Sequence, residues 1–345
     1  MTDAEPGNTM RERVGDRRRR VQLYVQLNVN RLVFTLGVSL AFFASILAFS
    51  LFDDTPLRAV MRASDPVETL FQGYLTAIIT GVTLVVTISQ LVLSQELGPL
   101  GDQRERMEGA VEFRRNVEEF FDATPPPEPS SFLQALIDMS AENAEALRET
   151  ISDDHDEDFL NKLEQFLDEL IENADVVSDD LENAQFGRYQ VVKSALDYNY
   201  SWKIYQARRL RRDHADELSE EEEAAFDNLV RVLQFFGPAR EHFKTLFFEW
   251  ELVGLSRKML YISVPALTIA VAMLVIVDPS TLPGLTLGID NMIWIVVAAA
   301  TVSSMPFFLL GAYMIRLATI ARRTLAIGPF ILRESGRSDT IDWES

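Results

Sequence analysis

Charged residues are missing from four stretches of this chain, and each stretch is long enough to cross a lipid bilayer. Residues 32–52 give 21 consecutive positions without Asp, Glu, Lys or Arg, residues 69–95 give 27, residues 259–277 give 19 and residues 291–315 give 25. A helix needs about 20 mostly apolar residues to cross hydrocarbon, and it satisfies its backbone polar groups internally. The expected fold is therefore an all-α integral membrane protein with four transmembrane helices. The first run follows the arginines at 17–20 and could pass for a secretory signal. It is long for an h-region and no A-x-A cleavage site follows, so it is expected to stay as an anchor.

Lys and Arg near the helix ends set the orientation. Residues 1–31, 96–115, 238–258 and 316–345 carry 7, 4, 4 and 5 of them, against 2 and 0 in the short loops 53–68 and 278–290. Both termini and the long segment between the second and third spans are expected in the cytoplasm, with the chain multi-pass in the cell membrane. The expected organisation has five parts. A basic tail (1–30) leads into a transmembrane hairpin (31–95). An acidic helical domain (96–257) is inserted before a second hairpin (258–316). The chain ends in an amphipathic segment and tail (317–345), where Arg316, Arg322 and Arg323 with Leu317, Ile320, Leu325 and Ile327 read as an interfacial helix.

The net charge of −20 is confined to one place: segment 96–258 holds 38 acidic and 18 basic residues, and the rest of the chain holds 14 of each. Such a surface excludes nucleic acid, whose phosphates need a basic face. Of the 32 basic residues 27 are arginine. Acid-rich, lysine-poor surfaces suit concentrated salt, where the Debye length at 1 M is roughly 3 Å and self-repulsion is screened. A halophilic archaeal source is the expectation. The absence of cysteine excludes disulfides, Cys-ligated zinc and Cys nucleophiles.

Segment 96–258 is rich in helix formers. Gly98 and Pro99, with Gly101, mark an elbow after the second span, and helices are expected at about 102–121, 131–151, 158–184 and 185–218. The third places Phe159, Leu163, Phe166, Leu167, Leu170 and Ile171 at helical spacing, and the fourth puts Tyr198, Trp202 and Tyr205 on one face. A fifth opens with a capping box, Ser219 and Glu222. It is expected to bend or break at Gly237 and Pro238 before running into the third span. This density of helix patterns points to an antiparallel bundle.

The second span carries the most informative pattern. Thr76, Thr80, Thr83, Thr87, Gln90 and Ser94 are spaced by 4, 3, 4, 3 and 4 residues, and the register extends back through Gly73 to Thr69. Steps of 3 and 4 hold one helix face, over about 25 Å. Hydroxyl and amide groups facing lipid are expected to lack partners, which leaves water or protein opposite the stripe. A water-filled conduit on the axis of an oligomer would use the hydroxyls in place of part of an ion's hydration shell. Helix packing through small residues is the competing role. Asp65 and Glu68 at one end and Glu96 and Asp102 at the other are candidate pore-mouth charges.

The remaining patterns are weaker. Gly98, Pro99, Pro265 and Pro306 are hinge candidates, with Thr301, Ser303 and Ser304 placed to satisfy the carbonyl that Pro306 frees. Asp154, Asp156 and Asp158 match alternating ligand positions of a calcium loop, but Phe159 and Gln165 stand where glycine and glutamate are needed. Arg208, Arg209, Arg211 and Arg212 suit a helix C-terminus or acidic neighbours. His155, His214 and His242 are far apart and expected at the surface. No charge is available at membrane depth for proton-coupled transport. Nor is there a Walker loop, G-x-G-x-x-G, H-E-x-x-H or G-x-S-x-G motif, so no enzyme activity, cofactor or metal is expected.

The layout resembles that of bestrophin-like channels: four spans, both ends cytoplasmic, and a helical domain after a pore-lining second span. The likeness is one of architecture. The expectation is a homo-oligomeric channel for inorganic ions in the lipid bilayer, lined by the second span and leaning to cations. A membrane-anchored scaffold or sensor, whose bundle binds a partner, is the alternative.

Overall fold

Three of the four charge-free windows lie wholly within a helix, and the third overruns the end of its helix by two residues. The structure, a computed structural model, describes residues 21, 24–27, 29–52, 64–182, 184, 189–277 and 284–323. In chain order the helices are α1 (Arg31–Phe52), α2 (Ser64–Glu96), α3 (Leu100–Phe121), α4 (Pro129–Thr150), α5 (Glu157–Glu182), α6 (Tyr189–Asp197), α7 (Tyr200–Asp213), α8 (Glu220–Val275) and α9 (Asn291–Arg323). Four of them, α1, α2, α8 and α9, are long and apolar enough to cross a membrane. The basic tail at 1–20 and the segment beyond Arg323 lie outside the described residues.

Two compact units divide the chain, one built on Pro99–Phe248 and the other on Leu23–Gly98 with Glu249–Thr319. The first is a helical bundle with one closed core. In α5 the residues at helical spacing, Phe159, Leu163, Phe166, Leu167 and Leu170, are buried, and Ile171 is half-buried. They meet Leu133, Leu136 and Ile137 of α4 and Phe226, Leu229 and Leu233 of α8. Helices α4 and α5 run antiparallel: Arg148 pairs with Glu164 and Asp168 at one end, and Ser130 bonds the Ala184 carbonyl at the other. The proline run before α4 is held by Arg114, which donates to the Pro125 and Pro126 carbonyls at 2.8 and 3.3 Å and covers the Phe132 ring.

Two helix readings are corrected. The stretch 185–218 is not one helix: α6 ends at Asp197 and α7 begins at Tyr200. The break turns the Tyr198 ring fully inward, where its hydroxyl meets Ser140 and Lys203 lies over its face. Trp202 and Tyr205 remain stacked on each other at 5.4 Å. Conversely, α8 passes through Gly237 and Pro238 without interruption. Pro238 deprives the Gln234 carbonyl of its donor, but Gln234 is exposed, so water can replace it. Gly237 is there for close packing, since a Cβ at that position would lie 2.9 Å from the Tyr200 ring.

The capping box closes as a reciprocal pair, Ser219 N–H to Glu222 at 2.7 Å and Glu222 N–H to Ser219 at 3.3 Å. His155, expected at the surface, is instead half-buried against it, with Nε2 at 2.8 Å from the Glu222 carboxylate. The same carboxylate accepts the Ser152 N–H at 2.9 Å. Burial raises the Glu222 pKa, but the Ser152 and Ser219 amides, His155 and the Ser219 hydroxyl outweigh it and bring it to about 2. Arg211 reaches Asp227, and Arg209 and Arg212 reach Asp213, so the arginine knot is mostly paired.

In the second unit α8 and α9 pack on α2 through two apolar clusters. One joins Val67 and Phe71 to Ala270, Met273, Val296 and Ala300. The other joins Val85 to Leu255, Met259, Leu309 and Tyr313. Phe42 of α1 meets Phe308 of α9 edge-on. Ahead of α9 a two-residue hairpin pairs Leu285–Thr286 with Ile289–Asp290. Its turn needs positive φ at Leu287 (54°) and Gly288 (81°), and only the second is glycine.

Candidate functional site: the outward face of α2

Packing fixes which way α2 presents each residue. Phe71, Ile78, Gly81 and Val85 are buried against the neighbouring helices. Thr76, Thr80, Thr83, Thr87, Gln90 and Ser94 are all exposed. At 100° per residue they lie roughly 120–200° round from Ile78, on the far side of the helix. The stripe is therefore continuous, and among the described residues nothing in the chain covers it.

The hydroxyls do not lack partners, contrary to the expectation for lipid-facing polar groups. Thr76, Thr80, Thr83 and Thr87 each donate to the carbonyl four residues back, at 2.8–3.1 Å, and Ser94 donates to Leu91 at 2.8 Å. Each hydroxyl proton is spent inside the helix, so its oxygen lone pairs are what the stripe presents. Gln90 differs, because its amide has no partner among the described residues.

Beside the first half of the stripe lies an open groove of about 720 Å³, lined by Gln72, Gly73, Thr76, Thr80, Phe307 and Leu310 among others. Gly81 lets α9 approach: a Cβ there would sit 3.4 Å from the Phe307 ring. Gly73 faces open space. Among the pore-mouth candidates, Glu68 and Asp102 are exposed, whereas the side chains of Asp65 and Glu96 lie outside the described residues. Gly98 and Pro99 form the connection between α2 and α3, Pro99 being extended (φ −53°, ψ 150°) as the residue that starts α3. Pro265 and Pro306 lie within continuous helices.

Near Pro306 the hydroxyls act differently from expectation. Thr301 donates to Val297 and Ser304 to Ala300, at 2.7 and 2.8 Å, and neither goes to the Val302 carbonyl that Pro306 frees. The Ser304 hydroxyl has a second acceptor within reach, the Tyr74 hydroxyl at 2.9 Å, a polar link between α9 and α2. Ser303 and Ser263 are buried without a partner among the described residues.

A basic clamp at one end of this unit was not foreseen. Arg316 donates to the Leu27 and Val29 carbonyls at 2.9 and 3.3 Å and faces Glu251 at 3.5 Å. Arg31 donates to the Leu27 and Ala312 carbonyls, both at 3.2 Å. Lys258 donates to the Tyr313 hydroxyl at 2.6 Å. The available signal was position, since each cation sits at the edge of a charge-free run.

The whole chain, residues 1–345, matches the profile of a family described as a family of unknown function, DUF7972. The chain belongs to that family. No curated protein and no solved structure matches it. For this DUF7972 chain the functional reading therefore rests on the stripe itself.

Proposed function

We propose that this protein is a homo-oligomeric channel of the cell membrane whose ion path is lined by the hydroxyl stripe of α2. One observation carries the proposal: the stripe occupies the side of α2 that packing within the chain leaves open, along the whole span. Copies arranged around an axis would turn those faces inward and enclose water. The back-bonded threonines present oxygen lone pairs, which favour cations over anions. The Gln90 amide adds a donor and acceptor that hydrocarbon would not satisfy. The Lys and Arg count supports a cytoplasmic side for both termini and for the bundle on Pro99–Phe248, which would form the vestibule.

The alternative, a membrane-anchored scaffold or sensor, is favoured by the same back-bonding, because self-satisfied hydroxyls can sit against lipid. Planar-bilayer recording of the purified protein separates the two. Wild type is expected to conduct, and Thr83→Leu with Thr87→Leu is expected to lower conductance and change ion preference. Unchanged conductance and selectivity in that double variant would reject the assigned lining.

A further inference from the structure

We propose that the first half of α3 is a self-association helix, with Leu100, Met107 and Val111 seated against the same residues of a second copy of this chain. The two halves of α3 have different environments. In the second half Val117 is fully buried, and Phe113 packs on Phe132 and Phe235. In the first half every residue from 101 to 112 is exposed, and Leu100, Met107 and Val111 are 82%, 69% and 55% accessible. The bundle thus holds one end of a helix whose other end shows an apolar face to nothing among the described residues.

The spacing identifies the occupant as another helix. Leu100, Arg104, Met107 and Val111 are separated by 4, 3 and 4 residues, the repeat of a coiled-coil seam. A single polar residue in such a seam sets register and copy number at some cost in stability. Arg104 is that residue, and its charge is already matched by Glu108 one turn on, at 2.6 Å. An in-register copy sets the two Arg104 side chains opposite each other, each with the Glu108 of its own helix as counter-charge. The seam is short, but it belongs to a folded bundle tethered to a membrane span, so local concentration replaces length.

Charge argues against a lipid surface as the occupant. Helices that lie in the membrane interface are rich in Lys and Arg on the polar face. Residues 100–112 carry Asp102, Glu105, Glu108 and Glu112 against Arg104 and Arg106.

The proposal shares with the channel reading the premise that the chain assembles with itself, but it stands on a different helix. The chain has no cysteine, so a single introduced thiol reports contacts without background. In the full-length protein in membranes, mild oxidation of Met107→Cys is expected to give a covalent dimer. Glu105→Cys, about 160° round the helix, is the control. The seam variant should exceed it roughly tenfold, because a disulfide needs Cα atoms within about 4.4–6.8 Å. Leu100→Glu with Met107→Glu should lower particle mass in mild detergent with helix content unchanged. Equal linking of both thiols, linking of neither, or an unchanged mass would overturn the proposal. So would a Met107→Cys thiol shielded from maleimide in a chain that stays monomeric, which puts lipid or the chain's own terminal segments there. If the glutamate pair disperses the particle while Thr83→Leu with Thr87→Leu leaves conductance intact, the lining fails and the α3 contact stands. If the particle keeps its mass while the leucine pair alters conductance, the α3 contact fails alone.

Discussion

Replacing the buried Glu222 with glutamine should destabilise the bundle, and its cost should depend on pH. The carboxylate lies 37 residues ahead of the third charge-free run, outside the membrane-spanning segments. It accepts from two backbone amides, the Ser219 hydroxyl lies on the same box, and His155 closes the far side. Its folded pKa of about 2 lies below the ordinary 4.5. Between those values the unfolded chain binds the proton more readily than the folded one, so stability rises with pH through this window. The stabilisation is fully present above about pH 4.5 and is lost as pH falls through about 2. A depression of about 2.5 units corresponds to at most about 3 kcal/mol at 1.36 kcal/mol per unit. Glutamine keeps one acceptor but turns an NH₂ towards a donor, so most of that figure should be lost. For a unit of this size about 3 kcal/mol is roughly 6–12 °C in Tm. Thermal melts of the full chain in detergent, followed by tryptophan fluorescence from pH 2 to 7, provide the assay. Wild type and Glu222→Gln should differ by that amount at pH 7 and converge near pH 2. A pair of parallel curves, or a gap under about 1 °C at pH 7 by the same conversion, would refute the latch.

Three further outcomes are expected. Gly237→Ala places a Cβ 2.9 Å from the Tyr200 ring, so it should destabilise the bundle by about 1–3 kcal/mol in denaturant melts. Arg316→Met should release the Leu27 and Val29 carbonyls and leave Glu251 without its charge partner, costing about 2–5 kcal/mol, with more rapid tryptic cleavage in the N-terminal tail; Arg316→Lys should rescue only in part, because one ammonium replaces the nitrogen on the two carbonyls but not the second one that faces Glu251. Raising salt from 0.1 to 1 M shortens the Debye length from about 10 to 3 Å and should raise the bundle's Tm, whereas a flat or falling Tm would deny that self-repulsion limits it.

What sequence could show depended on how far away the deciding partner lay. The α5 periodicity was legible because Phe159, Leu163 and Phe166 report their own helix face. The break at Tyr198 was not, because the groups that draw the ring inward, Ser140 and Lys203, come from separate helices. His155 looked solvated among Asp153, Asp154 and Asp156, while its partner Glu222 is 67 residues away. Gly237 and Pro238 read as a bend or break, and the helix runs through them without a gap because Gln234, whose carbonyl loses its donor, is exposed. For the stripe, spacing gave membership and could not give facing. Its self-satisfaction was within reach of sequence, since threonines at 76, 80, 83 and 87 each have a carbonyl four positions back to bond.

The outward faces of the helices that are long and apolar enough to span a membrane bring these observations together. On α1 the exposed residues include Leu32, Val33, Leu36, Leu40 and Phe49, while Thr35 and Ser39 point inward and are 4% and 1% accessible. On α8 Leu260, Val264 and Val271 are exposed while Ser263 and Ala266 are buried. Both helices are mostly apolar outside, the arrangement that lipid selects, and each exposes a back-bonded hydroxyl, Ser45 on α1 and Thr268 on α8. Helix α2 differs in number and alignment: the threonines and Gln90 face out in one line, beside exposed Ile79, Leu84, Ile88, Leu91 and Leu93, while Ile78 and Val85 are buried. A helix whose surroundings were lipid on that side would gain from leucine at those positions, as α1 does. That alignment of hydroxyls on one line of α2 is what the proposed lining rests on, and a copy of the same helix across water would meet it without any charged residue in the span.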